Sequence, residues 1–249
     1  MARVEPRDPR VAAARRHALT VGIVWAVLTL VGIILVLAFP LFPPPASREG
    51  ELIDHAFLVL LVVSVPVFVL VQVLLVYSAL RFRAQDDRDG PPISGWPALS
   101  GAWVAVTLVM VLGLAAFGWL GMNELHSHQH ADVTVRVIGS QFAFRFDYGG
   151  GVGSAQLRLP KDRLVRLELE SRDVLHSFWV PALRVKQDLV PGRVIALTVT
   201  PTEVGRWNLL CAELCGVGHT VMRAPVEVMD QAAFDIWLSS QQAAAAAER

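Results

Sequence analysis

The stretch from Cys211 to Met222, CAELCGVGHTVM, concentrates side chains that can bind a metal. It holds the only two cysteines of the chain, Cys211 and Cys215, which are followed by His219 and Met222. Two thiolates, an imidazole and a thioether are soft or borderline ligands, and such a set favours copper over magnesium or calcium, while zinc seldom recruits methionine. The stretch therefore predicts a copper site of the kind that carries electrons.

Two structural interpretations compete with the metal site. Spacings of four, four and three residues also place these side chains on one helical face, where cysteine and methionine would fill a core. However, Gly216 and Gly218 weaken a helix interior, and the stretch lies between two predicted strands. A disulfide between Cys211 and Cys215 is the second alternative, which fits an external domain but leaves His219 and Met222 without a role.

The elements that precede this stretch are three long apolar runs in the first half of a chain that is 54% hydrophobic. They extend roughly from Thr20 to Phe42, from Ala56 to Leu80 and from Gly101 to Met122, and none contains Asp, Glu, Lys or Arg. About 20 apolar residues suffice to cross a bilayer as a helix. The sequence therefore predicts three transmembrane helices.

Arginine is distributed unevenly around these spans, which predicts their orientation. The loop between the first two spans carries Arg48 alone, whereas the other side is rich in arginine: Arg3, Arg7, Arg10, Arg15, Arg16, Arg81, Arg83 and Arg88. The N-terminus and the RFRAQDDRDG loop are thus expected in the cytoplasm, and everything after Met122 outside. The first span could instead be a cleaved signal sequence, which would leave the same domain outside.

From Ala131 onward, short alternating segments separated by glycine and proline turns predict an all-β sandwich or barrel. The pattern predicts a half-buried strand for VTVRVIGSQFAFRFDY and a terminal amphipathic helix for DQAAFDIWLSS. We predict an N-terminal extension at 1–55, a two-helix membrane hairpin at 56–122, an extracytoplasmic domain at 123–240 and an exposed low-complexity tail at 241–249. The formal net charge of zero gives no reason to expect nucleic acid as a partner.

Three motifs give the chain a family resemblance over about Glu51 to Ser240. DVLHSFWVP, which contains His176, is followed in order by KQDLVPGR and CAELCGVGHTVM. In this combination the chain resembles the copper-bearing subunit II of haem-copper cytochrome oxidases. The resemblance implies N-terminal transmembrane α-helices followed by an all-β, cupredoxin-like Greek-key barrel that carries a dinuclear mixed-valence copper centre, CuA.

The resemblance also implies a role for each ligand. Cys211 and Cys215 would bridge both coppers, and His176 and His219 would each cap one of them. Met222 and the backbone carbonyl of Glu213 would be weak axial ligands. The Glu213 carboxylate would face a magnesium ion at the boundary with subunit I.

The implied function is that of a multi-pass subunit of cytochrome c oxidase in a bacterial-type cell membrane. It would accept electrons from cytochrome c or a similar donor on the outer face and pass them to haem in subunit I. There, oxygen is reduced to water, coupled to proton translocation. A CuA protein of nitrous-oxide reductase and a copper-delivery or disulfide-exchange protein are the alternatives. A quinol oxidase subunit would lack the copper ligands.

Three features depart from the family pattern. Where the family usually has Q-W-Y-W, this chain has QFAF, which puts Phe142 and Phe144 where electrons are expected to enter. Ser100 stands where the family often has a glutamate at the mouth of a proton path. HSHQH could bind metal through alternating histidines, but a solvated link is favoured: His126, His128 and His130.

Overall fold

The computed structural model describes residues 9–83, 95–126 and 130–247. Within these ranges the chain divides into two compact units: 9–41 with the described part of 56–117, and 42–55 with the described part of 118–247. Three long helices account for the apolar first half of the chain: α1 (Pro9–Ala38), α2 (Arg48–Arg81) and α3 (Pro97–His126). Their most apolar windows have mean hydropathies of 2.8, 3.0 and 2.2, so each is long and apolar enough to cross a membrane. The three predicted membrane helices are confirmed as helices, while their orientation stays a prediction.

The end of the first helix differs from the prediction. It ends at Ala38, whereas the apolar run continues to Phe42. Pro40 follows two residues later, and a proline disfavours helical backbone at the residue before it. Much of the RFRAQDDRDG loop, with Arg88 in it, lies outside the described residues, as do Arg3 and Arg7.

Polar contacts join α1 to α2. The indole Nε1 of Trp25 donates a hydrogen bond of 2.8 Å to the carbonyl oxygen of Pro66, and His17 Nδ1 lies 2.6 Å from the Tyr77 hydroxyl. A Cβ atom at Gly32 would lie 2.9 Å from Val65 Cγ1, so glycine permits the close approach of the two helices there. In a bilayer, which offers no water to polar groups, such contacts hold helices together.

In its described residues the β domain contains ten strands: β1 (Val133–Ser140), β2 (Ala143–Asp147), β3 (Gly153–Ser154), β4 (Leu157–Pro160), β5 (Val165–Ser171), β6 (His176–Val180), β7 (Val185–Leu189), β8 (Ile195–Val199), β9 (Gly205–Cys211) and β10 (Arg223–Met229). They form two five-stranded sheets, with orders β3-β2-β1-β5-β8 and β4-β10-β9-β6-β7. Pairing is antiparallel except for β1 with β5 and β4 with β10. This architecture confirms the predicted all-β, cupredoxin-like class.

Alternation of apolar and polar residues along the strands builds the core of this domain. Val135 and Val137 of β1, Leu167 of β5 and Leu209 of β9 are fully buried in one common cluster. Side chains two apart on a strand share a face, so both sheets place one apolar face inward. The predicted terminal helix is confirmed as α4 (Gln231–Ala247); it continues into the alanine-rich segment and is anchored by the buried Phe234.

The prediction of one continuous strand through VTVRVIGSQFAFRFDY was wrong. The segment is a hairpin, in which Ser140 of β1 pairs with Ala143 of β2 and the turn consists of Gln141 and Phe142. This segment contains neither of the dipeptides, Asn-Gly and Asp-Gly, that mark two-residue hairpin turns. Phe142 therefore lies in a turn and not on a strand.

Residues 42–55, which include the first turns of α2, pack against the β domain. Ser47 Oγ donates a 2.7 Å hydrogen bond to the Leu183 carbonyl, and Glu49 accepts a 2.9 Å hydrogen bond from the Thr200 amide. The predicted boundaries at 55, 122 and 240 stay predictions, but the contacts show that this segment folds with the strands.

Candidate metal centre

Two adjacent strands bring the first candidate ligands together. His176 is the first residue of β6, and Cys211 is the last residue of β9. These strands pair antiparallel, with Phe178 opposite Cys211. A loop then carries Cys215, a short 3-10 helix spans His219–Val221, and Met222 directly precedes β10. The strand pairing thus joins the DVLHSFWVP motif to the cysteine stretch.

All six predicted ligands converge at one point of the β domain. The two thiol sulfurs are 3.9 Å apart. His176 Nδ1 lies 3.9 Å from Cys211 Sγ, and His219 Nδ1 lies 3.7 Å from Cys215 Sγ. Met222 Sδ is 3.7 Å from Cys215 Sγ, and the carbonyl oxygen of Glu213 is 3.3 Å from Cys211 Sγ.

This geometry excludes both structural alternatives for the cysteine stretch. Cys211 and Cys215 are free thiols, so they form no disulfide. The residues between β9 and β10 form a loop with one short 3-10 helix and not an α-helix, and Gly216 has a φ of +135°. The loop therefore brings the side chains inward by its turns, as the metal-site interpretation requires.

The candidate ligands are shielded from water. His176 is fully buried, Met222, Cys215 and Cys211 are buried, and His219 is half-buried. Burial, reinforced by the neighbouring Cys211, raises the pKa of the Cys215 thiol to about 11. A bound cation is the usual means by which such thiols lose their protons. Soft donors that converge in a dry site fit a copper ion well.

A carboxylate behind the site orients His176. The imidazole Nε2 of His176 lies 2.8 Å from Asp173 Oδ1, which leaves Nδ1 directed toward Cys211. Burial alone would raise the pKa of Asp173, but hydrogen bonds from the backbone N–H of Gln141, the His176 ring and the backbone N–H of Val174 lower this pKa to about 2. Asp173 is therefore ionised at neutral pH, and a carboxylate in this position fixes the tautomer of a ligating imidazole.

Two residues of this environment were missed by the sequence analysis, Asp173 and Gln141. The side-chain amide of Gln141 donates a 2.5 Å hydrogen bond to the carbonyl oxygen of Cys215. For Asp173 there was a signal, since it stands three residues before His176 in DVLH. Gln141 is the glutamine that QFAF shares with the family's Q-W-Y-W, but its contact with Cys215 depends on a hairpin that the alternating pattern did not reveal.

The remaining predicted residues occupy different environments. Phe142 is half-buried against Gly216 and Gly218. Phe144 is only 4% exposed and belongs to the hydrophobic core of the β domain. Ser100 is exposed on α3. Of the histidines in HSHQH, His130 is exposed. The side chain of His126 and the whole of His128 lie outside the described residues.

Three large apolar side chains are exposed on the stretch that carries the candidate ligands. Leu214, Val217 and Val221 are 78%, 101% and 67% exposed, and all three belong to the stretch that carries Cys215 and His219. We call these three residues the loop face. A contiguous patch of exposed apolar side chains is a common feature of surfaces where another molecule binds.

Fold and site together define a class: a β-sandwich protein with membrane-spanning helices and a buried site of histidine, cysteine and methionine. A sequence profile described as "Cytochrome C oxidase subunit II, periplasmic domain" matches residues 152–229. A cytochrome c oxidase subunit 2 of Synechocystis sp. is 31% identical over 250 residues, which cover 80% of this chain and 75% of the relative. That of Thermostichus vulcanus is 29% identical and covers 83% and 80%.

Among solved structures, the periplasmic domain of subunit II of cytochrome oxidase from Bradyrhizobium japonicum aligns with 24% identity and a TM-score of 0.42, covering 45% of this chain and 95% of that one. The sequence relationships establish that the chain belongs to the cytochrome c oxidase subunit 2 family. It is therefore a subunit of an oxidase complex, as the motifs indicated.

Proposed function

We propose that this subunit accepts electrons from cytochrome c or a similar donor at a dinuclear copper centre, CuA, and passes them to haem in subunit I. There, oxygen is reduced to water, coupled to proton translocation. The observation that carries the proposal is the arrangement of two imidazole–thiol pairs. His176 faces Cys211, and His219 faces Cys215, around sulfurs that are 3.9 Å apart.

The donor set supports two metal positions and not one. Each imidazole Nδ1 approaches a different sulfur, so Cys211 and Cys215 would be shared between two coppers while His176 and His219 would each hold one. Met222 and the Glu213 carbonyl would be weaker ligands. When bound, a copper pair of this kind takes up and releases one electron at a time. The protein's part is to hold the ligands rigidly and to keep water away from them.

The surroundings of the site support docking of a donor on the loop face. From Glu124 onward the chain has 14 acidic and 13 basic residues, so it creates no strong field by charge count. Steering of a basic cytochrome over long distances should be weak, and apolar contact should matter more. The proposed location outside the cytoplasm is supported by the arginine bias and by the description of the matching profile as a periplasmic domain.

A magnesium ion at Glu213 remains a proposal for the assembled complex. Within the part of the chain that the structure describes, the His176, Cys211 and Cys215 group is the only cluster of three or more His, Cys, Asp or Glu residues arranged to hold a metal. Magnesium prefers oxygen ligands in an octahedral arrangement. Subunit I would therefore have to supply most of them.

Copper loading of the purified chain in detergent tests the proposal. We expect two coppers per chain, a purple colour and a mixed-valence signal in electron paramagnetic resonance. Cys211→Ser or Cys215→Ser should abolish that signal. Met222→Leu should keep copper but shift its potential, because a weak axial ligand tunes the metal more than it holds it. Met229→Leu, at the far end of β10, is the matched control.

Other functions would give different results in the same experiment. A single copper, or none, would favour a copper-delivery or disulfide-exchange protein. Two coppers without mixed valence would contradict bridging by the cysteines. An unchanged spectrum in Cys215→Ser would remove that residue from the centre.

A further inference from the structure

Gln141 contacts both parts of the chain that carry the candidate ligands, although it belongs to neither. It lies in the turn between β1 and β2, in the first sheet, whereas His176 and Cys211 lie on strands of the second sheet. Its side-chain Nε2 donates a hydrogen bond of 2.5 Å to the Cys215 carbonyl. Its backbone N–H donates a hydrogen bond of 2.7 Å to Asp173 Oδ2.

The second of these bonds leads to the other imidazole–thiol pair. The remaining carboxylate oxygen of Asp173, Oδ1, lies 2.8 Å from His176 Nε2. Gln141 thus reaches His176 through one carboxylate and reaches Cys215 directly. The two ligands it connects come from segments that are far apart in sequence, and Gln141 adds a second link between these segments to the pairing of β6 with β9.

The cysteine loop is shaped to accept this turn. A Cβ atom at Gly216 would lie 2.9 Å from Gln141 Nε2 and 3.2 Å from the Phe142 ring. A Cβ at Gly218 would lie 2.5 Å from the same ring. Both glycines therefore leave the space that the amide and the ring occupy. The complementarity between turn and loop indicates that the contact is a built feature and not a chance surface hydrogen bond.

We propose that Gln141 is a positioning residue that ties together the two segments that carry the metal ligands, the start of β6 with His176 and the loop with Cys215; this inference rests on the proposed copper function. A hydrogen bond to the Cys215 carbonyl fixes the peptide plane that follows Cys215 and with it the direction of the Cys215 side chain. Rigid placement of ligands by residues behind them is what a metal site needs to keep its geometry when its charge changes. Gln141 acts through Cys215 and Asp173 and does not itself bind the metal.

Gln141→Leu tests the proposal, because it keeps the approximate volume of the side chain but removes the donor. We expect the variant to bind two coppers and to lose them to a chelator about three to ten times faster, a factor that corresponds to the net free energy of one hydrogen bond. Its copper hyperfine splitting should also differ from that of the unmodified protein. In the metal-free protein, amide hydrogen exchange at residues 216–218 should accelerate by a similar factor. Gln241→Leu, on the exposed part of α4, is the matched control and should behave as the unmodified protein.

Gln141→Asn is a second test in case the leucine variant folds poorly. Asparagine keeps a polar amide at this position, but its shorter side chain does not reach the Cys215 carbonyl. It should reproduce the faster copper loss and the faster exchange. If both Gln141 variants match Gln241→Leu in chelation, hyperfine pattern and exchange, Gln141 has no positioning role. If the unmodified protein binds no copper pair, the proposed function fails, while the exchange measured without metal still decides whether Gln141 restrains the loop.

Discussion

Asp173 and His176 form a contact of 2.8 Å between a carboxylate oxygen and the ring Nε2, at the point where β6 begins. Only two residues lie between them in the sequence, yet the environments of the two side chains differ sharply. The ring is fully buried, while the carboxylate side chain is 31% exposed. The pair thus connects the buried site to the surface of the domain.

We expect Asp173→Asn to weaken copper binding about 10- to 100-fold, as loss of a carboxylate behind a ligating histidine typically does. The asparagine can still contact the ring but carries no charge to stabilise it. Copper competition against a chelator of known affinity measures the effect. Asp162→Asn, at an exposed aspartate in the turn before β5, provides the control. Equal affinity in the two variants would show that Asp173 does not support the ligand.

Gly218→Ala should destabilise the β domain by about 1–3 kcal/mol, because overpacking forces side chains or backbone to move. The new methyl group would meet the Phe142 ring at 2.5 Å. Combining it with Phe142→Leu should recover part of the loss, since the two positions share one space and their effects should not add. Urea unfolding followed by tryptophan fluorescence gives the free energies. Gly153→Ala, where nothing lies within 4 Å, should change little; a comparable loss there would contradict the steric explanation.

Phe142→Ala is expected to slow reduction of the copper centre by its donor while leaving copper content and visible spectrum intact. The ring is half-buried beside the cysteine loop, so part of it remains available for contact. Stopped-flow reduction of the purified complex at low and high salt measures the rate, which should depend only mildly on ionic strength. Loss of copper in this variant would instead identify Phe142 as a packing residue.

Val217→Asp tests the loop face independently of the packing beneath it. Val217 is fully exposed, so the substitution removes no core contact. A charge at the centre of an apolar contact must be desolvated when the donor binds, so reduction by the donor should slow while the copper spectrum stays unchanged. The control is Ile236→Asp, at an apolar residue of α4 that is 70% exposed. If both variants are reduced at the rate of the unmodified protein, the donor binds elsewhere.

The interactions of Glu227 should make the stability of the β domain depend on pH. Hydrogen bonds from Arg206 lower the pKa of Glu227, burial opposes them, and Arg158 adds to the lowering. A carboxylate with a lowered pKa stabilises the fold above its unfolded pKa of about 4.3, and this contribution is lost as the pH falls through the folded pKa. Glu227→Gln should therefore reduce the free energy of unfolding by about 1–2 kcal/mol at pH 7 and by much less near pH 3. The exposed Glu203→Gln should show no such difference at either pH.

The sequence by itself determined the features that depend on local pattern and on residue type. Apolar runs longer than a bilayer predicted the three helices, and alternation of apolar residues predicted the β domain. The ligand types between Cys211 and Met222 indicated copper, because softness and charge are properties of the side chains alone. The motif alone identifies His176 as a ligand, whereas the strand pairing that carries it to Cys211 belongs to the tertiary structure.

The tertiary structure decided the contacts between residues that are distant in the chain. Gln141 and the Cys215 carbonyl are separated by 74 positions, and Ser47 and the Leu183 carbonyl by 136. No periodicity encodes such pairs, because they depend on how two sheets pack and where a hairpin turns. The burial of Phe144 and the partial exposure of Phe142 follow from the same turn, which a continuous alternating pattern had concealed. Residue chemistry therefore specified which metal the site suits, while packing specified how rigidly its ligands are held.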